Sequence, residues 1–169
     1  MNFALPRYDD IPNVGLYLDQ TVQYVNGCFR SFQGLELTAS MVSNYVKKGL
    51  ISHPVKKKYT RDQIAYLLYI AVAKTVLSME NIQFLFEMQR RNYSTSDAYE
   101  FFRAEFEGVL PCVFGLRTDT QVSAGDSTDE QFLLRSTIIS AANKIYLDCC
   151  LAAIRQEEAL WPDILDDLA

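Results

Sequence analysis

Apolar residues recur every three to four positions at Val14, Leu18, Val22, Val25 and Phe29, the spacing of a one-sided helical stripe. A first helix is therefore expected from Asn13 to Phe29, ending near Arg30-Ser31 before a loop around Gly34. A short second helix is predicted from Thr38 to Lys48. Thr38 is placed to cap its free N–H groups, Leu37 to staple onto Val42, and Gly49 to stop it in a left-handed conformation. At about 100° per residue, Met41, Val42, Tyr45 and Val46 share one face and Ser40, Ser43, Asn44, Lys47 and Lys48 the other. One face is core; the other is small, polar or basic.

The next ten residues, LISHPVKKKY from Leu50 to Tyr59, break the helical pattern. Pro54 forbids a helix, and the β-branched residues beside three lysines predict a small β ribbon. Thr60 restarts helix with Gln63 completing a capping box, and the following residues are apolar on nearly every side, as a buried central helix requires. Ser78 opens a fourth helix whose core stripe is Ile82, Leu85 and Phe86. A fifth is expected from about Ser94 to Gly108, with Pro111 ending any continuation. Residues 117–127 read as a loop. Thr128 then caps a long helix to about Leu160, with a stripe of Phe132, Ile139, Ala142, Ile145, Tyr146, Cys149 and Ala153. The pattern describes a mainly α protein with one small β element, divided into a region at 1–91 and a helical region at 92–169.

Composition adds little to this until charge is placed along the chain. The 169 residues are 49% hydrophobic and 22% charged, ordinary globular values. The opening MNFALPRYDD shows no basic stretch followed by an apolar run, and the longest apolar run, Ile64 to Leu77, is too short to span a bilayer and contains Lys74. A cytoplasmic protein with no membrane partner is expected. The net charge is −5, yet residues 38–91 hold nine of the sixteen basic side chains and three of the twenty-one acidic ones, so that segment is +6 within a body of −11.

That cationic segment contains the candidate site. A short helix with a polar face, followed by a lysine-bearing ribbon and a capped core helix, is the order of a winged helix-turn-helix, whose second helix enters the DNA major groove. Ser40, Ser43 and Asn44 are the candidates for contact with base edges or phosphates, and Asn pairs well with adenine. Lys47, Lys48, Lys56, Lys57, Lys58, Tyr59 and Arg61 are the candidates for the phosphate backbone.

The stretch Thr38 to Phe86 resembles the N-terminal domain of MerR-type regulators. Tyr45, Gly49-Leu50-Ile51, Pro54, Tyr59, Ile64 and the Ser78-x-Glu80-x-Ile82 helix start fall in step with that pattern. The resemblance departs at Ser43-Asn44, where the MerR pattern places Arg-Tyr. The chain as a whole is similar to an uncharacterised bacterial family of unknown function in which such a module is fused to a helical C-terminal part. The resemblance implies a transcriptional regulator of double-stranded DNA, dimeric through its long C-terminal helix.

Other functions have less in the sequence to support them. The one histidine, His53, sits in the ribbon, and no P-loop, GxGxxG, GxSxG or HExxH occurs, so no enzymatic activity and no cofactor is expected. Cys28, Cys112, Cys149 and Cys150 follow no metal-ligand spacing and read as small hydrophobic residues; a sensor built from Cys112 and the Cys149-Cys150 pair is the alternative. Aromatic residues between Tyr93 and Tyr146 read as core, or as the lining of a small-molecule or protein effector site. The rival to the regulator is an adaptor that binds a protein through the same short helix.

Overall fold

The computed structural model describes residues 3–116 and 128–156. Their regular structure, in chain order, is β1 (Leu16–Tyr17), α1 (Leu18–Cys28), α2 (Ala39–Lys47), β2 (Lys58–Tyr59), α3 (Arg61–Ala73), α4 (Met79–Asn92), α5 (Thr95–Val113) and α6 (Asp129–Gln156). The chain is mainly helical, with one small antiparallel sheet in which Leu16 faces Tyr59 and Tyr17 faces Lys58.

Helix starts follow local hydrogen bonding. Thr38 Oγ accepts the Met41 N–H at 3.1 Å, and Ser78 Oγ accepts that of Asn81 at 3.2 Å. Thr60 and Gln63 form the reciprocal pair expected of them, at 2.8 and 3.4 Å, and Thr128 and Gln131 do the same at 3.3 Å. At the end of α2, Gly49 takes φ +74°, and the N–H groups of Gly49 and Leu50 donate to Val46 and Tyr45 carbonyls.

Three sequence expectations give way. Helix α1 begins at Leu18, not Asn13: Gly15 turns the chain at φ +75°, Leu16 and Tyr17 are drawn into the sheet, and Val14 is 81% exposed. Helix α5 passes through Pro111 to Val113 and closes at Gly115, φ +73°, with Leu116 N–H on the Pro111 carbonyl at 2.9 Å. A proline inside a helix costs about 3 kcal/mol, and burying Leu110 and Phe114 offsets it at roughly 1.5–3 kcal/mol each. On α6 the core face is Ile138, Ala141, Ala142, Ile145 and Cys149, while Phe132 and Ile139 of the expected stripe are exposed. This helix is apolar on both sides, so periodicity alone does not select the inner one. By length and composition it also qualifies as a membrane span, but its inner face packs on α3, α4 and α5. The expected extension to Leu160 and the loop at 117–127 lie outside the described residues.

One hydrophobic cluster runs from α1 (Val25) through α3 (Leu67, Ile70) and α5 (Phe102, Phe106) to α6 (Ile138), crossing the expected division at residues 91 and 92. Residues 3–11 strengthen that continuity by lying along α5. Leu5 and Ile11 are buried, Phe3 meets Phe32 and Phe106 edge-on, and the N–H groups of Leu5 and Tyr8 donate to Glu107 at 2.8 Å and Glu100 at 2.6 Å. Arg103 pairs with both carboxylates from the same helix, and Tyr99 O–H donates to the Pro6 carbonyl.

This arm is expected to make the fold acid-sensitive. Burial pulls the Glu100 carboxyl upward, but the Tyr8 N–H and Arg103 outweigh it and hold it below its ordinary value of 4.5. A depressed carboxyl stabilises the fold above its unfolded pKa, and that contribution is lost as pH falls through the folded value. Glu100→Gln keeps an acceptor for Tyr8 without the charge. The fall in melting temperature on acidification below the ordinary glutamate range is therefore expected to be smaller in this variant than in the wild type, and equal falls in the two proteins would refute the assignment.

Candidate nucleic-acid interface

Helix α2 buries Val42, Tyr45 and Val46 and leaves Ser40, Ser43, Asn44, Lys47 and Lys48 all exposed. Its orientation is set by side chains at both ends. Before it, Asn26 brackets the backbone of Leu37, donating to its carbonyl at 2.9 Å and accepting its N–H at 2.8 Å. Phe32, Leu35 and Leu37 are buried in the connector, and Lys74 donates to the Gly34 carbonyl at 2.7 Å. The segment expected to be a plain loop is thus a packed spacer. After α2, buried Gln63 donates to the carbonyl and hydroxyl of Ser52 at 2.7 and 3.1 Å, and Arg90 reaches the Leu50 carbonyl at 3.4 Å.

The ribbon is a tight hairpin. Val55 and Lys58 exchange both backbone hydrogen bonds, at 3.1 and 2.9 Å, around a two-residue turn. Its tip, Lys56 and Lys57, has φ of +50° and +64°, the doubly left-handed turn usually built from Asn-Gly. Each non-glycine residue held there costs about 1–2 kcal/mol. Lys58 then pairs with β1 on its other side, and Gly15 is required beneath it, since a Cβ there would meet Lys58 Cβ at 3.1 Å.

The structure divides the ten expected site residues. Ser40, Ser43, Asn44, Lys47, Lys48, Lys56 and Lys57 are exposed, and none of these four lysines has an ion pair or hydrogen bond through its side chain among the described residues. Lys58 is half-buried, its ammonium 5.2 Å from the Tyr17 ring. The last two are placed differently from the rest. Tyr59 is only 4% exposed, because the strand turns its ring into the core. Arg61 is committed to the N-terminal arm, donating to the Ile11 carbonyl at 3.0 Å, the Asp9 carbonyl at 3.0 Å and the Asp9 carboxylate at 3.2 Å. Beside it Tyr8 O–H donates to Asp62. Neither Tyr59 nor Arg61 has its side chain directed to an outer partner.

A cleft of about 500 Å³ opens between the end of α2 and the start of α3, with Lys47, His53, Asp62, Gln63 and Arg90 on its walls. No group of three His, Cys, Asp or Glu side chains is assembled among the described residues. Burial pushes the thiols of Cys28 and Cys149 up to about 11, away from the thiolate that redox chemistry and metals require.

Residues 6–102 match a family model described as a domain of unknown function, DUF1836. The chain belongs to this family. The DUF1836 region takes in the arm from Pro6, both strands, α1 to α4 and the first turns of α5, so the hairpin and the exposed face of α2 lie inside it. No curated protein and no solved structure matches the chain significantly.

The residues that position the DUF1836 candidate site, Asn26, Gln63, Lys74 and Arg90, act on backbone atoms far along the chain. Only Gln63 carried a local signal, as the third residue of a capping box. The box uses its carbonyl oxygen and leaves its amide nitrogen for Ser52.

Proposed function

We propose that the chain is a DNA-binding transcriptional regulator whose DUF1836 region forms a winged helix-turn-helix, resembling that of MerR-type proteins, with α2 as the groove-entering helix and the Lys56-Lys57 hairpin as the wing. The observation that carries this reading is the pairing of two exposed surfaces. The fully exposed small-polar and lysine face of α2 is joined, through a Ser52 fixed by Gln63, to a lysine-tipped hairpin. Lys47, Lys48, Lys56 and Lys57 neutralise phosphates, Ser43 and Asn44 face the bases, and Arg61 and Tyr59 hold the scaffold. The missing Arg at the tip of α2 makes affinity depend more on the backbone than on sequence.

A dimer of two such modules, cytoplasmic and assembled through α6, completes the proposal. The outer face of α6 carries Phe132, Ile139, Leu147, Leu151 and Ile154, a stripe that needs cover in water. Titration of the protein with mixed genomic DNA fragments tests the reading. Four lysine contacts per module predict a slope of log K against log salt of about −4 per module. A slope near zero, or no retention at low salt, refutes DNA binding and favours the adaptor that Ser43-Asn44 would also suit.

A further inference from the structure

A cavity of about 220 Å³ lies where α3 and α4 meet α5 and α6. Its lining is aromatic, with the rings of Tyr66, Tyr69 and Phe86 from α3 and α4 and those of Tyr99, Phe101 and Phe102 from α5, Tyr69 meeting Phe102 edge-on at 5.3 Å. Ala65 and Ala98 line it with small side chains. Tyr66 lines both this cavity and the cleft beside α2.

Two further features separate this space from a packing gap. Tyr69 carries a buried hydroxyl that makes no hydrogen bond of good geometry among the described residues, the Thr137 hydroxyl being the polar group beside it. Cores closed by their own side chains avoid such a group. Two carboxylates, Asp97 and Glu130, line its rim, while Arg90 lies over the Tyr66 and Phe86 rings at 5.2 and 5.8 Å and Arg135 over the Phe101 ring at 5.8 Å. Glu130 is held there by Asn92, and Tyr93 O–H meets Thr128 Oγ at 3.0 Å, so the end of α4 is tied to the start of α6 across the opening.

An apolar cavity of about 150 Å³ is enough for benzene. The larger space here suits a fused or substituted aromatic ring, and aromatic walls with carboxylates at the rim favour a positive charge on it and disfavour a negative one. We propose that this cavity binds a small planar aromatic compound, neutral or cationic, and that its occupancy is transmitted to the end of α2. The connection is short. Tyr66 O–H donates to Gln89 at 2.9 Å and accepts from Arg90 at 3.3 Å, and the same guanidinium holds the Leu50 carbonyl directly after the left-handed Gly49. The transmission to DNA rests on the proposed function; the ligand site does not.

Calorimetric titration of the full chain with indole, tryptamine and indole-3-acetate tests both parts. These probes share one ring system and differ in charge. Indole and tryptamine are expected to saturate one site per chain, with tryptamine the tighter and indole-3-acetate about tenfold or more weaker than indole. Ala98→Phe fills the space and is expected to abolish binding without lowering the melting temperature. Glu130→Gln, a change at the half-buried rim that leaves the aromatic lining intact, is expected to erase the advantage of tryptamine while indole still binds. No saturable binding of either indole or tryptamine to the wild type overturns the site, as does binding unaltered by both substitutions. Adding tryptamine to the protein–DNA titration is expected to shift DNA affinity at fixed salt, and an unchanged affinity overturns the transmission. Tryptamine binding by a chain that retains no DNA supports the cavity and overturns the regulator.

Discussion

Replacing Lys56-Lys57 with Asn-Gly is expected to stabilise the protein and weaken its hold on DNA. The turn now places two lysines in left-handed backbone, at φ +50° and +64°, where Asn-Gly is the favoured pair. Relief of that strain is worth roughly 1–2 kcal/mol, visible as a raised denaturation midpoint. The same substitution removes two phosphate-neutralising charges per module. By counterion release it lowers affinity roughly 60-fold per module in 0.1 M salt and makes the salt slope shallower by about 2. Loss of binding through misfolding would move stability the other way, so opposite signs isolate the charge. If affinity and slope match the wild type while stability rises, the hairpin does not touch DNA.

The second large effect concerns α6. Leu147→Glu with Ile154→Glu places two carboxylates on a helix face that is already exposed, at 52% and 76% for these positions, so the folded chain and its circular dichroism are expected to persist. Sedimentation is expected to change from dimer to monomer. DNA affinity should fall by about 10² to 10⁴, because a single module no longer benefits from the second one held beside it. A wild type that sediments as a monomer refutes this interface, and so does a doubly substituted chain that remains dimeric.

Where a Ser or Thr side chain caps the next turn, the sequence was readable. Thr38, Thr60, Ser78 and Thr128 each cap a helix through an N–H three residues away, and the exposed face of α2 follows from rotation alone. Features decided by distant partners were not readable. Tyr59 and Arg61 follow three lysines and look like part of a basic surface. The strand turns one into the core, and the other finds its partners in the arm at Asp9 and Ile11. Strand β1 is two residues long and exists because Lys58 and Tyr59 accept it, too short for any period to appear. The left-handed turn at Lys56-Lys57 carries neither Gly nor Asn to announce it. On α6, apolar residues on both faces leave periodicity no way to choose the inner one.

The arm along α5 sets an order of events during synthesis. Leu5 donates its N–H to Glu107, and Tyr8 to Glu100, so the arm is translated about a hundred residues before its acceptors. At 5–20 residues per second it waits roughly 5–20 s on the ribosome with Leu5 and Ile11 uncovered. The family boundary at Phe102 falls between the two acceptors. A chain ending there keeps Glu100, the acceptor of Tyr8, but loses Glu107 and the Arg103 that braces both carboxylates, so Tyr8 would stay fastened while Leu5 would not.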